Sequence, residues 1–153
     1  MAVTAGQRAS VSAVVADADT AIRAGSGDVP VLATPRLLAL AEAAAVAAIS
    51  PHLAPGMTSV GTSVSLEHRR ASPVGAEIVV EAELTEVDGR RLVFSFIARE
   101  SGRRSGAPGD DGDGDRVVGA GTVERVLVDR EAFLARAAAA PRPESPRPSG
   151  PAA

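Results

Sequence analysis

The chain has 153 residues, a formal net charge of −3 and no cysteine. Its length suits one domain with room for a proper core. The missing thiols exclude a disulfide framework, a thiolate nucleophile and a Cys-based zinc site, and the mild acidity gives no electrostatic reason to expect nucleic acid or an anionic membrane as partner.

Residues 1–8 read as a loose leader, without the basic-then-apolar pattern of a signal peptide, so a cytoplasmic protein is expected. Residues 9–16 (ASVSAVVA) are a predicted strand on their valine content, and residues 20–24 read as its continuation. The loop AGSGD at 24–28 is rich in turn formers. No Lys-Ser/Thr follows it and the GxGxxG spacing is absent, so it reads as a flexible lead-in and not a phosphate cradle. A short extended run, 29–33, delivers the chain to its most distinctive stretch.

That stretch, TPRLLALAEAAAVAAI at 34–49, predicts a helix with a defined start. Thr34 suits the N-cap and Pro35 the first helical position. Beyond Arg36 nearly every side chain is Leu, Ala, Val or Ile, so the helix is apolar all round and expected to be buried on most of its sides. It is too short to span a bilayer. Glu42 breaks the pattern. A carboxylate there is costly unless it is paired, hydrogen-bonded or protonated.

SPHLAPGM at 50–57 is a loop by its prolines and glycine. TSVGTSVSLEH at 58–68 then alternates. Val60, Thr62, Val64, Leu66 and His68 fall on the apolar face, with Ser59, Gly61, Ser63, Ser65 and Glu67 opposite. A turn with Pro73 and Gly75 leads to a strand at 76–84, expected to point Ile78, Val80, Ala82 and Leu84 inward. Asp88-Gly89 marks a hairpin, and 91–99 places Leu92, Phe94, Phe96 and Ala98 on one face.

Residues 101–115 (SGRRSGAPGDDGDGD) form a polar loop too poor in apolar residues to fold alone. Asp111, Asp113 and Asp115 imitate the start of a calcium loop, but Arg116 stands where the glycine belongs and Thr122 where the closing glutamate belongs. Residues 116–128 are a long last strand, in which Gly119 and Gly121 mark a bulge or a close backbone approach. Asp129 is placed to cap a short helix at 130–138. From 139 onward the chain reads as a disordered, Pro-rich tail.

The order is strand, apolar helix, then four strands. An α+β domain follows, 9–138 with the polar insertion 101–115, whose antiparallel sheet wraps the helix. A helix apolar on every side keeps a face to spare, which a second copy of the chain would cover.

Common catalytic signatures are absent. Gly61-Thr62-Ser63-Val64-Ser65 is not a GxSxG elbow, and two histidines without HExxH leave no His-rich metal site. The remaining candidates each carry a plain structural alternative. Thr34 caps a helix or offers a hydroxyl. Glu42 faces a solvated gap, pairs with an Arg or acts as a base. His68 is a satisfied strand-end histidine or a base, while His52 sits in an exposed loop. Gly61 marks a bulge or a close approach. Together the hydroxyl, carboxylate and imidazole suit activation of water or of a Thr nucleophile.

The runs GSGDVPVLATPRLLALAEAAAVAAI (25–49), GMTSVGTSVSLEHRRASPVG (56–75), LTEVDGRRLVF (84–94) and GAGTVERVLVD (119–129) resemble, in that order, the fluoroacetyl-CoA thioesterase-like family. The resemblance covers about residues 9–138, a whole domain by ordinary size. It implies a hot-dog fold, a curved antiparallel sheet around a central helix, with two subunits paired and a tetramer as the larger option. It also implies catalytic roles for Thr34, Glu42 and His68, and substrate-binding roles for Gly61 and for Arg125 in Thr-x-Glu-Arg. Glu42 and His68 would activate the attacking group or position water, Thr34 would bring its hydroxyl to the carbonyl, and the Gly61 N–H would polarise the thioester oxygen. Sites in the family lie near the dimer interface.

Departures are visible. Val123 stands where the family commonly has His, Ala41 where Met is common, and the 101–115 loop is long. The Phe-rich surroundings tied to fluoroacetate selectivity are not evident, which argues against fluoroacetyl-CoA itself. The expected function is hydrolysis of a short- or medium-chain acyl-CoA to acid and CoA, with no metal and no cofactor beyond the CoA of the substrate. Two rivals stand beside it. One is enoyl-CoA hydration on the same fold. The other is a non-catalytic acyl-CoA or small-ligand binder, which an exposed Thr34 and a Glu42 bridged to an Arg would favour.

Overall fold

In the second half of the chain, alternation of apolar and polar residues builds the sheet as expected. The computed structural model describes residues 2–102, 116–139 and 141. Its strands are β1 (Arg8–Val14), β2 (Met57–His68), β3 (Glu77–Asp88), β4 (Arg91–Glu100) and β5 (Arg116–Asp129). They form one antiparallel sheet in the order β1-β3-β4-β5-β2. Ile78, Val80, Ala82 and Leu84 of β3, and Leu92, Phe94, Phe96 and Ala98 of β4, all point inward and are buried. Gly89 turns the β3–β4 hairpin with φ 58°, a left-handed conformation that glycine adopts without steric cost.

The inward face closes on the long helix. Three α-helices are described: α1 (Ala21–Ala24), α2 (Thr34–Ile49) and α3 (Arg130–Ala139). Leu37, Leu40, Ala41, Ala44, Ala45, Ala48 and Ile49 of α2 are buried in the same cluster as the β3 and β4 side chains. Small alanines at that contact let the helix axis approach the sheet closely, with Leu37 and Leu40 buried toward its start and Ile49 at its end. The opposite side of α2 is open. Pro35, Ala39 and Ala43 are exposed and Val46 is 40% exposed, so the described residues do not cover the helix all round.

Three sequence expectations need correction. Residues 20–24 do not continue β1; they make the single turn α1. Thr20 caps it, its hydroxyl accepting from the Arg23 N–H at 3.5 Å and donating to the Asp17 carbonyl at 2.8 Å, and Gly25 ends it with φ 75°. Such local side-chain bonds let Thr leave a strand for a cap. Thr34 is not the N-cap of α2. Ala33 is, its carbonyl accepting from the N–H groups of Arg36 and Leu37, while Thr34 lies inside the first turn with its hydroxyl free of the backbone.

The third correction is in β2. The register against β5 jumps between Gly61 and Ser63, so Thr62 is the extra residue of a bulge. A bulge resets which side chains face inward. Val64 and Leu66 pack on the core as expected, yet upstream it is Ser59 and Gly61, not Val60 and Thr62, that face the helix. The close approach expected at Gly119 and Gly121 is present. A Cβ on Gly121 would overlap the Ser65 carbonyl, and one on Gly119 would lie 2.5 Å from the Glu67 carbonyl oxygen.

Asp129 does cap α3, Oδ1 accepting from the Ala132 N–H at 2.9 Å. Asp111, Asp113, Asp115 and most of the Pro-rich segment lie outside the described residues. Among the described residues, no helix is long and apolar enough to cross a membrane.

Candidate active site

The start of α2 and the end of β2 meet. Leu32 and Ala33 are held in place by backbone bonds, Leu32 donating to the Ser72 carbonyl and Ala33 to that of Asp19. This anchors the start of α2 between Asp19 and the loop that follows β2. Thr34 Oγ1 then lies 2.8 Å from His68 Nδ1. With Nδ1 as acceptor, the hydroxyl donates to it and the ring proton sits on Nε2. Nε2 is buried without a hydrogen-bond partner among the described residues. Burial pushes the His68 imidazole below its ordinary range, with the Arg70 backbone opposing, so the neutral, proton-accepting form is favoured.

A cavity of about 300 Å³ lies over this pair, with Ala21, Val29, Val31 and Leu32 among its apolar walls and Arg70 alongside. Thr34 and His68 both line it. The hollow is open and mixed in lining, with Ser26, Arg69 and Arg70 beside the apolar residues, so it offers an apolar wall for an acyl group and positive charge at its rim.

Glu42 belongs to a second group. It lies eight residues beyond Thr34, about 12 Å along the helix at 1.5 Å per residue. Its Oε2 accepts from Arg125 Nη1 at 2.9 Å. Arg125 alternates with Val123 on the inward side of β5 and is itself buried. Its Nε donates to Ser59 Oγ at 2.8 Å and its Nη2 to the Ser59 carbonyl at 2.9 Å. Burial lowers the Arg125 pKa and the Glu42 charge pulls it back; an Arg so placed stays protonated. Gly61 is the fourth member: a Cβ there would fall 2.5 Å from Glu42 Oε2.

Within one chain the structure thus brings together Thr34 with His68, and Glu42 with Gly61 and Arg125, in two groups two helical turns apart. Thr34 is exposed and Glu42 is bridged to an Arg, the arrangement named above as favouring a binder. Ser59 was missed by the sequence reading, which put it on the outer face. Arg125 carried a readable signal, an Arg on the apolar side of a strand in a chain with one carboxylate on its apolar helix. Val123, where the family commonly has His, is fully buried core. Among the described residues, no group of three or more His, Asp or Glu is arranged to hold a metal.

Comparison with known proteins bears on this geometry. The family profile described as fluoroacetyl-CoA-specific thioesterase matches residues 15–107. The fluoroacetyl-CoA thioesterase of Streptantibioticus cattleyicolor is 37% identical over 106 residues, 69% of this chain and 67% of that protein. A solved structure of the fluoroacetyl-CoA thioesterase FlK superposes with a TM-score of 0.75 at 31% identity, covering 92% of this chain and 100% of the other. Variants of that thioesterase have been solved with acetyl-CoA and with fluoroacetate and CoA. A hot-dog-like protein from Thermanaerovibrio acidaminovorans, 21% identical with a TM-score of 0.72 over 90% of this chain and 94% of its own, shares the fold. The five-stranded antiparallel sheet packed on α2 is therefore a hot-dog fold, and the chain belongs to the fluoroacetyl-CoA-specific thioesterase family of thioester hydrolases.

Proposed function

We propose that the protein hydrolyses a short- or medium-chain acyl-CoA to the free acid and CoA. The observation that carries this reading is the 2.8 Å contact of the Thr34 hydroxyl with His68 Nδ1 beside the cavity that both residues line. As Thr34 Oγ1 bonds to the thioester carbonyl carbon, its proton passes to Nδ1. Collapse of the tetrahedral adduct breaks the C–S bond, and His68 returns the proton to the departing CoA sulfur. Water then attacks the acyl-Thr34 carbonyl carbon, giving up a proton to a carboxylate or imidazole base; the C–Oγ1 bond breaks, the base returns that proton to Thr34 Oγ1, and the acid leaves. No cofactor is needed beyond the CoA of the substrate. Acyl-CoA is made and used inside cells, in keeping with the cytoplasmic location expected from the sequence.

Glu42 and Gly61 enter through a second copy of the chain. The exposed side of α2 is apolar and rich in small residues, suited to close helix packing across a two-fold axis. Antiparallel helices related by an axis near Leu38 set Thr34 of one subunit opposite Glu42 of the other. Each Thr34–His68 pair then acquires a carboxylate and the Gly61 N–H, the proposed donor to the carbonyl oxygen. The homodimer is the unit of this mechanism, and a tetramer would repeat it.

A second reading is binding without turnover, favoured by the Glu42–Arg125 ion pair. Free-thiol release from a panel of acyl-CoAs, measured for wild type and His68→Ala side by side, decides between them. Turnover that collapses in the variant supports hydrolysis. Tight CoA-ester binding with no thiol released at any pH sinks it, and hydroxyacyl-CoA formed from an enoyl-CoA would mean hydration instead.

A further inference from the structure

We infer that Ser59 is a positioning residue for this hydrolysis, setting the Glu42 carboxylate through Arg125. The inference rests on the hydrolase reading above. The Arg125 side chain is only 9% exposed, and a buried guanidinium is tolerated when its donors are satisfied. Two of them, Nε and Nη2, are taken by one residue, the Oγ and the carbonyl oxygen of Ser59 at 2.8 and 2.9 Å. A guanidinium is a rigid plane, so two bonds along one edge fix the direction of every other N–H. Nη1 is thereby aimed at Glu42 Oε2, 2.9 Å away.

Among the described residues the Glu42 carboxylate has no other fixed partner. Its side chain is 32% exposed, and Oε1 takes no hydrogen bond among the described residues. Where Oε1 points therefore depends on where Arg125 holds Oε2. Gly61, on the same face as Ser59 through the β2 bulge, leaves the space this orientation uses. Arg125 is thus turned inward to the carboxylate and not outward to substrate phosphates, and Ser59 decides that direction. Without Oγ, Nε loses its acceptor while the Ser59 carbonyl remains, and the plane is free to tilt.

The test compares Ser59→Ala, Ser59→Thr, Glu42→Gln and the double variant Ser59→Ala/Glu42→Gln in the full chain. Ser59→Ala is expected to lower kcat roughly ten- to a hundred-fold, the scale of a misplaced catalytic group, with KM little changed. Ser59→Thr, which keeps the γ-oxygen, recovers most of the loss. In the Glu42→Gln background, Ser59→Ala adds nothing further, because both changes act on one group. Losses that multiply in the double variant, or a Ser59→Ala enzyme with wild-type kcat, overturn the inference. A second readout is independent of turnover. The Arg125 Nε–H should give a dispersed, slowly exchanging NMR resonance that survives in Ser59→Thr and merges with the solvent-exposed arginines in Ser59→Ala. If it is unmoved in Ser59→Ala, the inference fails even in an active enzyme. A wild-type protein inactive on every acyl-CoA refutes the hydrolase reading instead, while the resonance still decides the clamp.

Discussion

Thr34 and His68 are 34 residues apart in sequence, one in the first turn of a helix and the other at the last position of a strand, and their side chains touch at 2.8 Å. The contact exists because the helix is capped one residue earlier than expected, at Ala33. A capping Thr spends its hydroxyl on the helix backbone; this one offers it to an imidazole. Thr34→Ala and His68→Ala should therefore each cost about 10²–10⁴ in kcat/KM, the range for removing a positioned acid–base partner. Thr34→Ser, retaining the hydroxyl, should keep a large part of the activity. Thermal melts should show all three folded. If Thr34→Ala hydrolyses acyl-CoA at the wild-type rate, the threonine is not the nucleophile.

The pH profile follows from His68. Its pKa is lowered, mainly by burial, so the neutral base persists below pH ~6.5, the ordinary histidine value. The acid limb of kcat/KM should lie under that value. Stability moves the same way. In the unfolded chain His68 takes up a proton near pH ~6.5, and in the folded chain only at lower pH. The stabilisation is present above the unfolded value and lost as pH falls through the window between the two. In His68→Gln that part of the pH dependence of Tm should vanish. An acid limb clearly above pH ~6.5 would assign it to another group.

How far this could be read from sequence differs sharply between elements. The faces of β3 and β4 were legible because period-two alternation ran unbroken across Ile78–Leu84 and Leu92–Ala98. The span of α2 was legible from its apolar run, and Glu42 was conspicuous as the charge within it. The face of β2 was not, because one extra residue at Thr62 inverts inside and outside upstream of the bulge, and no local composition announces it. Ser59 was lost for that reason alone. The cap of α2 was misplaced because Thr34-Pro35 has the right chemistry for a cap, while tertiary bonds to Leu32 and Ala33 decide where the helix begins. Pairing of Glu42 with Arg125 spans 83 positions, a distance only the closed sheet brings to contact.

Gly61 separates two roles by substitution. A Cβ at this position would lie 2.5 Å from Glu42 Oε2, the free end of a flexible side chain, and 3.4 Å from Arg125 Nη1. Glu42 can swing away, so Gly61→Ala should fold with a destabilisation of at most about 1–3 kcal/mol, the usual cost of overpacking. The carboxylate is displaced, however, and kcat should fall in the same range as for Glu42→Gln. A crystal structure of Gly61→Ala should show the Glu42–Arg125 contact broken. Full activity with the contact intact would show that the strand shifts instead, leaving the requirement for glycine without this explanation.

The distance between the two groups gives the sharpest prediction. Thr34 and Glu42 are separated by about 12 Å of helix at 1.5 Å per residue, and within this chain Thr34 is bonded to His68 while Glu42 is bonded to Arg125. If the acting Glu42 comes from a second copy, Thr34→Ala and Glu42→Gln homodimers should both be nearly inactive. Mixing and refolding them together should then restore activity. In a random mixture half the dimers carry one subunit of each kind, and in each of these one site has both an intact Thr34 and an intact Glu42, while the other has neither. The mixture should recover roughly a quarter of the wild-type activity per chain, by the symmetry of a two-fold interface. Size-exclusion chromatography with light scattering checks that dimers are present. A mixture no more active than its components would place Thr34 and Glu42 of the same chain at one site, bridged by substrate or water, and would remove the second copy from the mechanism.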